Sequence, residues 1–386
     1  MIKRIFFAIV RRAVCLGCCF VPLDSKKIVI SSFYGRGYGG NPKYIVEEIR
    51  RQNLDYKIIW LIRSEKEVQS LPEGVTPCKD GSLKSIYELM TAKVWIDNSR
   101  KAFYYKRRKQ YYIQTWHGDI GVKKIEKDAE TKMDAKYIKI AKKDSRYTNV
   151  SISGNRWYTQ TIKRAFWYDG EIMECGYPRR DILLQNQPEL AQSIKEQRGI
   201  PMDSKVLFYA PTFRKHQQGD HPDLSCFDLD WDAVLKAMSD KFGGTWVGIL
   251  RLHPSIACHA GKLNLPSSIR DVTYYPDMQE LMLISDSMIT DYSSSLFDFA
   301  ITKKSGFLFA TDFEEYQEDR NVYFDITKLP FPFSQSNEQL INDIRTFDEK
   351  AYASNLEEFY GKTIGVFDDG KASERIVERI KEVTRK

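Results

Sequence analysis

From residue 27 onward the chain alternates short apolar runs with amphipathic stretches, and after one interruption it does so again. Residues 28–30, 58–61, 94–96, 111–113 and 150–152 read as strands, with helices expected over 42–51, 128–143 and 155–166. Runs this short and this uniformly apolar suit strands buried on both faces. Strands that alternate with helices predict parallel sheets covered by helices on either side. A polar stretch at 185–204, opened by Pro188 and closed by Gly199-Ile200-Pro201, interrupts the pattern. Strands at 206–209, 247–250, 288–289 and 306–309 then restart it, with helices at 231–242, 278–284 and 296–301. A chain of 386 residues exceeds one comfortable core. The expected fold is therefore α/β, with Rossmann-like domains at 25–186 and 187–350 facing across a cleft, a leading segment at 1–24 and closing helices at 351–386.

Two strands end in polar, chemically capable residues. One leads into Gln114-Thr115-Trp116-His117-Gly118, the other into Thr290-Asp291-Tyr292-Ser293-Ser294-Ser295. Ligands of open α/β sheets bind at the carboxyl ends of strands. Of five histidines, His216, His221 and His259 lie in polar, loop-like sequence and read as surface residues. His117 and His253 each follow an apolar strand and precede a loop residue, Gly118 or Pro254. An imidazole in that position suits proton abstraction near neutral pH. Consecutive serines at a helix start offer hydroxyls and backbone N–H groups to an anion. Arg251, two residues before His253, and Arg214, at the end of Ala210-Pro211-Thr212-Phe213-Arg214, add guanidinium groups that match phosphate. Together they describe a pyrophosphate cradle.

Several classes are excluded. The net charge of +7 is mild, the basic residues are dispersed and no nucleic-acid module appears. Gly35–Gly40 lacks the dinucleotide fingerprint. Acidic residues form no metal constellation, and nothing demands a cofactor. Seven cysteines at irregular spacing read as reduced thiols. Lys101–Lys109 interleaves five basic residues with Phe103, Tyr104 and Tyr105, a pattern for nucleic acid, a membrane surface or a solvated loop. Residues 5–22 are apolar apart from Arg11 and Arg12 near their middle, too interrupted to span a bilayer. Wound as a helix, Arg4, Arg11 and Arg12 share one arc opposite Ile2, Ile5, Phe6, Ile9, Val10 and Ala13, with Lys3 out of place among the latter. Such a helix either lies in the membrane interface or packs on its own domain.

These segments, with Gly176-Tyr177-Pro178-Arg179-Arg180-Asp181, Arg251-Leu252-His253-Pro254, Phe313-Glu314-Glu315-Tyr316 and Tyr323-Phe324-Asp325, resemble the CDP-glycerol glycerophosphotransferase family of Gram-positive bacteria, the teichoic acid primases and polymerases. The resemblance covers about 28 to 365 and implies the glycosyltransferase-B fold. The first domain would take the acceptor, the second the CDP-polyol, and the closing helices would return to the first domain. It also implies a peripheral enzyme at the cytoplasmic membrane face. That enzyme moves glycerol phosphate, or ribitol phosphate from CDP-ribitol, to a lipid-linked saccharide or polyol-phosphate acceptor and releases CMP. By the resemblance His117 is the general base, and His253 holds the phosphate. Asp291 orders the phosphate loop or serves as an alternative base. Arg214, Arg251, Thr290, Ser293 and Ser294 bind the donor, and Trp116, Gly118 and Lys123 support the acceptor or its loop. No metal is implied. Many members continue Trp-His-Gly with Thr-Pro-Leu-Lys, whereas this chain continues Asp119-Ile120-Gly121-Val122-Lys123-Lys124. Alternatives are a nucleotide-sugar glycosyltransferase on the same fold and a non-catalytic membrane or polymer binder. Oligomeric state is not encoded in any of these motifs.

Overall fold

The structure, a computed structural model, describes residues 2–102, 105–214, 228–263, 265–317 and 322–385. It divides into two compact units. The first comprises Met1–Asp119, Ile125–Asp181 and Val366–Lys386, the second Ile120–Lys124 and Ile182–Gly365. The short second-unit segment at 120–124 begins three residues after His117 in the chain.

The first unit holds strands β1 (Asp24–Ser31), β2 (Lys57–Ile62), β3 (Val75–Lys79), β4 (Ala92–Asp97), β5 (Tyr111–Gln114), β6 (Val150–Ser153) and β7 (Glu171–Glu174), all parallel, in the order β3-β2-β1-β4-β5-β6-β7. Side chains alternate across a strand, and both sets are apolar here. Ile28, Ile30, Ile58, Trp60, Val94 and Ile96 face helices Gly40–Arg51 and Ala372–Arg385, which contribute Ile45, Ile49, Ile376 and Ile380. Val29, Ile59, Leu61, Trp95 and Tyr112 face helix Leu83–Thr91, with Cys15 and Cys18 beside Ile86, Leu89 and Met90. Burying each large apolar side chain contributes about 1.5–3 kcal/mol, so both faces are committed to the core.

The second unit repeats the plan with β8 (Lys205–Tyr209), β9 (Trp246–Leu250), β10 (Ile269–Asp271), β11 (Ser287–Thr290), β12 (Ser305–Phe309) and β13 (Phe333–Ser334), parallel in the order β10-β9-β8-β11-β12-β13. In each sheet the strand order reverses beside the first strand. The reversals fall between β1 and β4 and between β8 and β11, the crevices where such sheets take ligands.

The helix expected over 128–143 is two elements, a 3-10 segment at Glu126–Lys132 and a helix at Ala135–Tyr147. Asp134 starts the second by accepting from the backbone N–H groups of Lys136 and Tyr137. Residues Ile2–Cys18 form a helix whose end packs on Leu83–Thr91. The side chains of residues 2–8, and with them much of its expected apolar arc, lie outside what is described. No helix among the described residues is long and apolar enough to cross a membrane.

Candidate functional site

His117 stands three residues past the end of β5, beside the reversal point of the first sheet. Its loop is pinned from several sides. Thr115 N donates to Asp97 O (2.8 Å), Trp116 N to the side-chain oxygen of Gln114 (3.0 Å), and Asn41 Nδ2 to the carbonyls of Thr115 (3.1 Å) and Trp116 (3.2 Å). Trp116 is held at a positive φ of 51°, as are Phe33 (47°) and Tyr34 (59°) in the loop after β1. Left-handed backbone at bulky residues is costly and persists where the surroundings enforce it, commonly at functional sites. Gly35 completes that loop at φ 79°, where a Cβ would meet Arg63 N at 2.8 Å.

The His117 ring stacks on Trp116 (centroids 4.4 Å apart) and meets the edge of Phe33. Its Nδ1 lies 2.8 Å from Asn98 O. A carbonyl only accepts, so Nδ1 carries the hydrogen and Nε2 keeps its lone pair. The ring retains accessible surface within crowded surroundings. That crowding lowers its pKa, Arg179 lowers it further, and the bond to Asn98 opposes both. Arg100 lies 5.3 Å from the Trp116 ring and is itself fixed by Glu126, Asp144 and Ser145.

The segment Arg179-Arg180-Asp181 gives each charge a separate task. Arg179 Nη1 donates to His117 O, and its backbone N–H to Asn41 Oδ1 (3.2 Å). Arg180, 1% exposed, binds Asp119 through both terminal nitrogens and Asp368 at 3.0 Å. Asp181 accepts from Ala372 N (3.0 Å) and Ser373 N (2.7 Å), tying down the start of the closing helix. Asp119, the residue that departs from the family pattern, is therefore a buried ion-pair partner. It also accepts from Asn155 Nδ2 at 2.7 Å.

In the second unit Asp291 follows β11 and bridges to the loop after β8. Both its oxygens accept from Thr212 N at 2.9 Å, Oδ1 also from Tyr292 N, and Arg214 sits 2.8 Å from Oδ2. Arg214 also pairs with Asp312 and lies 4.8 Å from the Tyr292 ring centroid. Burial alone would lower its pKa, but the bonds to Asp312 and the charge of Asp291 raise it. These two acids match its charge and make it a clasp. Thr290 Oγ1 donates to Ala210 O (2.6 Å), which occupies its hydrogen. Ser293 Oγ accepts from Ser295 N (3.2 Å) and Ser295 Oγ (2.7 Å), leaving its own O–H to donate elsewhere. Ser294 is half-buried at the start of helix Ser295–Phe299 and makes no side-chain cap.

Arg251 is different. The strand ends at Leu250, so Arg251 and His253 both lie in the loop beyond it. Its guanidinium meets Tyr275 O (3.1 Å) and the Met278 sulfur (2.8 Å), and its Nε is buried with no partner among the described residues. Burial lowers its pKa, with only the charge of Asp277 opposing. His253, three residues past β9, stacks on Phe213 and accepts at Nδ1 from Ser255 N (3.1 Å), so in the neutral ring Nε2 carries the hydrogen. Burial, then the charges of Arg251 and Lys123, lower its pKa. Lys123 lies in the 120–124 segment, which pairs antiparallel with Val322.

Within their units, then, His117 joins Trp116 at one reversal point, and Asp291, Arg214 and Thr290 join at the other. The residues that sequence reasoning left without roles are Asn41, Asn98, Arg179 and Asp312. For Arg179 the signal was present in the Gly176–Asp181 motif. His259 is buried, against its expected surface position, whereas His216 and His221, like Phe103 and Tyr104, lie outside the described residues. Among the described residues no group of three or more His, Cys, Asp or Glu could hold a metal ion.

Two parallel, doubly covered sheets, each carrying polar residues at its reversal point, make this a glycosyltransferase-B-type α/β protein. The chain belongs to the CDP-glycerol:poly(glycerophosphate) glycerophosphotransferase family, whose model matches residues 16–382. It is 32% identical over 374 residues to a teichoic acid poly(glycerol phosphate) polymerase of Bacillus subtilis, covering 93% of this chain and 49% of that protein. It thus spans about half the length of that relative. It is 32% identical to a teichoic acid glycerol-phosphate transferase of Staphylococcus aureus, covering 93% of this chain and 94% of that one. A teichoic acid poly(ribitol-phosphate) polymerase of Bacillus spizizenii is 28% identical, covering 93% of this chain and 57% of that protein. A solved variant of the wall teichoic acid polymerase TagF, soaked with CDPG, superposes with a TM-score of 0.85 at 29% identity, covering 100% of this chain and 96% of that one.

Proposed function

We propose that this protein transfers glycerol phosphate from CDP-glycerol to a hydroxyl of a lipid-linked acceptor at the cytoplasmic membrane face, in teichoic acid or related cell-surface polymer synthesis. The observation that carries this reading is the opposite hydrogen placement on the two histidines. His117 presents a bare Nε2, a proton acceptor, and neutral His253 presents an Nε2–H, a donor to a phosphate oxygen.

In this reaction the acceptor oxygen attacks the phosphorus that bears glycerol. The new P–O bond forms as the bond to the cytidylate oxygen breaks, the acceptor proton passes to His117 Nε2, and CMP leaves with the bonding pair. Arg251, His253, Ser293 and Ser294 hold the donor phosphates. The poorly compensated Arg251 charge supports this, because its Nε is buried without a partner among the described residues and only the Asp277 charge offsets the cost, which an arriving anion would relieve. Arg214 and Asp291 order the loop without touching the reacting atoms. Phosphoryl transfer depends on alignment and charge stabilisation of this kind. The higher identity to glycerol-phosphate relatives favours glycerol over ribitol in the donor. Mass analysis of products made from CDP-glycerol and from CDP-ribitol with a synthetic lipid acceptor tests the reading. Glycerol-phosphate additions with CMP release are expected, and no transfer from either donor would refute it.

A further inference from the structure

Phe33 and Tyr34 take no part in the chemistry above, yet the fold holds both in left-handed backbone. Bulky residues adopt that conformation only where their surroundings enforce it. The enforcing bonds are in place. Phe33 N donates to Asn98 Oδ1 (2.7 Å), Gly35 N and Arg36 N both donate to Ser32 O (2.8 and 3.1 Å), and Ser32 Oγ donates to Gly39 O (2.7 Å). Gly40 leaves room for the Phe33 ring, because a Cβ there would stand 3.1 Å from Phe33 Cζ.

Core packing does not offset this strain. Phe33 stays 37% exposed and Tyr34 51%. The Phe33 ring stands edge-on to the exposed His117 ring, with centroids 6.4 Å apart. The phenol end of Tyr34 reaches the charged network behind it. Burial, then the charges of Asp97 and Glu126, raise its pKa, and Arg100 opposes them. Asp97–Arg100 is also the stretch whose Asn98 carbonyl holds His117 Nδ1. Both rings are therefore set against the same loop as the base. Arg36 closes the turn. It is exposed, and its guanidinium makes no hydrogen bond or ion pair among the described residues.

We infer that Phe33, Tyr34 and Arg36 form the acceptor subsite, with the two rings under the C–H face of the terminal polyol and Arg36 on the acceptor's own phosphate. The inference rests on the transfer reaction proposed above and deepens it. An attacking hydroxyl must come within hydrogen-bond reach of its base, so the surface that adjoins the His117 ring is acceptor surface. A polyol phosphate matches that surface in each part. Its carbons pack on aromatic faces while its hydroxyls stay free for the base. Its phosphodiester supplies the negative charge that Arg36 lacks.

The test is steady-state kinetics of the full chain at saturating CDP-glycerol with two soluble acceptors. One ends in glycerol phosphate, and in the other a neutral ether replaces the phosphate. The double variant Phe33→Asn, Tyr34→Asn removes both rings but keeps the turn, since asparagine tolerates left-handed backbone. It is expected to raise the KM for either acceptor about tenfold, to change kcat far less, and to leave CDP-glycerol affinity by calorimetry unchanged. Tyr34→Phe, which keeps the ring, should retain the wild-type acceptor KM. Arg36→Ala should raise KM about fivefold for the phosphate-bearing acceptor alone, as befits an exposed ion pair. Should the double variant melt lower than wild type, Arg36→Ala carries the test, because its side chain packs on nothing. Unchanged acceptor KM in both variants, or a loss of donor affinity in place of acceptor affinity, would overturn the inference. Failure of the wild type to transfer to either acceptor would instead count against the enzymatic proposal itself.

Discussion

The imidazole Nδ1 of His117 donates to the carbonyl oxygen of Asn98 at 2.8 Å, which ties the loop after β5 to the loop after β4. The same Asn98 uses its side-chain oxygen to accept from Phe33 N (2.7 Å) and its amide to donate to Ser32 Oγ (3.0 Å), drawing in the loop after β1. One residue thus gathers three strand ends around the ring and fixes which nitrogen is free to take a proton.

A base held this way acts in the transition state more than in the ground state. His117→Ala is expected to lower kcat by about 10²–10⁴-fold while leaving the affinity for CDP-glycerol nearly unchanged. Steady-state kinetics together with calorimetric titration of the donor check this. Full turnover in the variant would remove His117 from the reaction.

The pH profile follows from the direction of the shifts. Crowding that strips water from the ring, together with Arg179, holds the His117 pKa below its ordinary 6.5. The ring must be neutral to accept a proton, so kcat/KM should rise with pH along an acid limb centred below 6.5 and then level. The same shift makes a stability contribution that is present above 6.5 and fades as pH falls through the folded pKa, because the unfolded ring takes its proton first. Arg179→Met removes a positive charge that helps hold the pKa down. It should move the acid limb to higher pH as well as lower kcat. A lower kcat with an unmoved limb would reduce Arg179 to a purely structural contact.

Arg180 offers a stability test. It is buried between Asp119 and Asp368, and burial pushes the Asp368 carboxyl up to about 6 even against the attraction of Arg180. Arg180→Met strands two buried carboxylates and is expected to cost about 3–5 kcal/mol in urea unfolding at pH 7.5. The deficit should shrink as pH is lowered from 7.5 toward about 6, because without Arg180 the Asp368 carboxyl takes up its proton at a higher pH than in the wild type and ceases to be a bare buried charge. A deficit that does not change with pH would mean lost packing, not lost charge pairing, is the cause.

What the sequence discloses and what it conceals divide along physical lines. The alternation of Ile28 and Ile30 with Val29, or of Ile58 and Trp60 with Ile59, is local, and it specifies a doubly covered parallel sheet without further information. His117 and His253 stand out in the sequence because each follows the end of an apolar run, and the structure places each three residues past a strand. The matching of their positions is only local, however. β5 lies on the far side of β4 from its sheet's first strand, whereas β9 adjoins the first strand of its own sheet from the other side. Charge partnership is where local reading fails. Arg214 looks like a phosphate ligand until Asp312, 98 residues away, is found on it. Asp119 looks like a lost Thr until Arg180, 61 residues away, is found beside it. Periodicity carries no record of such pairings, nor of which hydrogen an imidazole keeps, because that depends on a carbonyl supplied by another strand.

Arg214 and Arg251 make the sharpest contrast, because the same residue type serves opposite ends. Arg214 is matched by Asp291 and Asp312. Arg214→Met leaves two acids facing each other without a cation, and about 3–5 kcal/mol of stability should be lost. Arg251 has no matching acid in contact, and burial has lowered its pKa. Arg251→Met removes a poorly compensated cation and should leave the melting temperature unchanged or raised. It should also weaken CDP-glycerol binding about 10–100-fold, the loss of a charge-assisted phosphate contact. Thermal unfolding with and without donor reads both quantities at once. Saturating donor should raise the melting temperature of wild type and barely move that of Arg251→Met, since stabilisation by a ligand follows its affinity for the native state. If Arg251→Met were instead the destabilised variant and still bound donor normally, the two arginines would have to exchange roles, and the phosphate subsite would belong to the Asp291 loop.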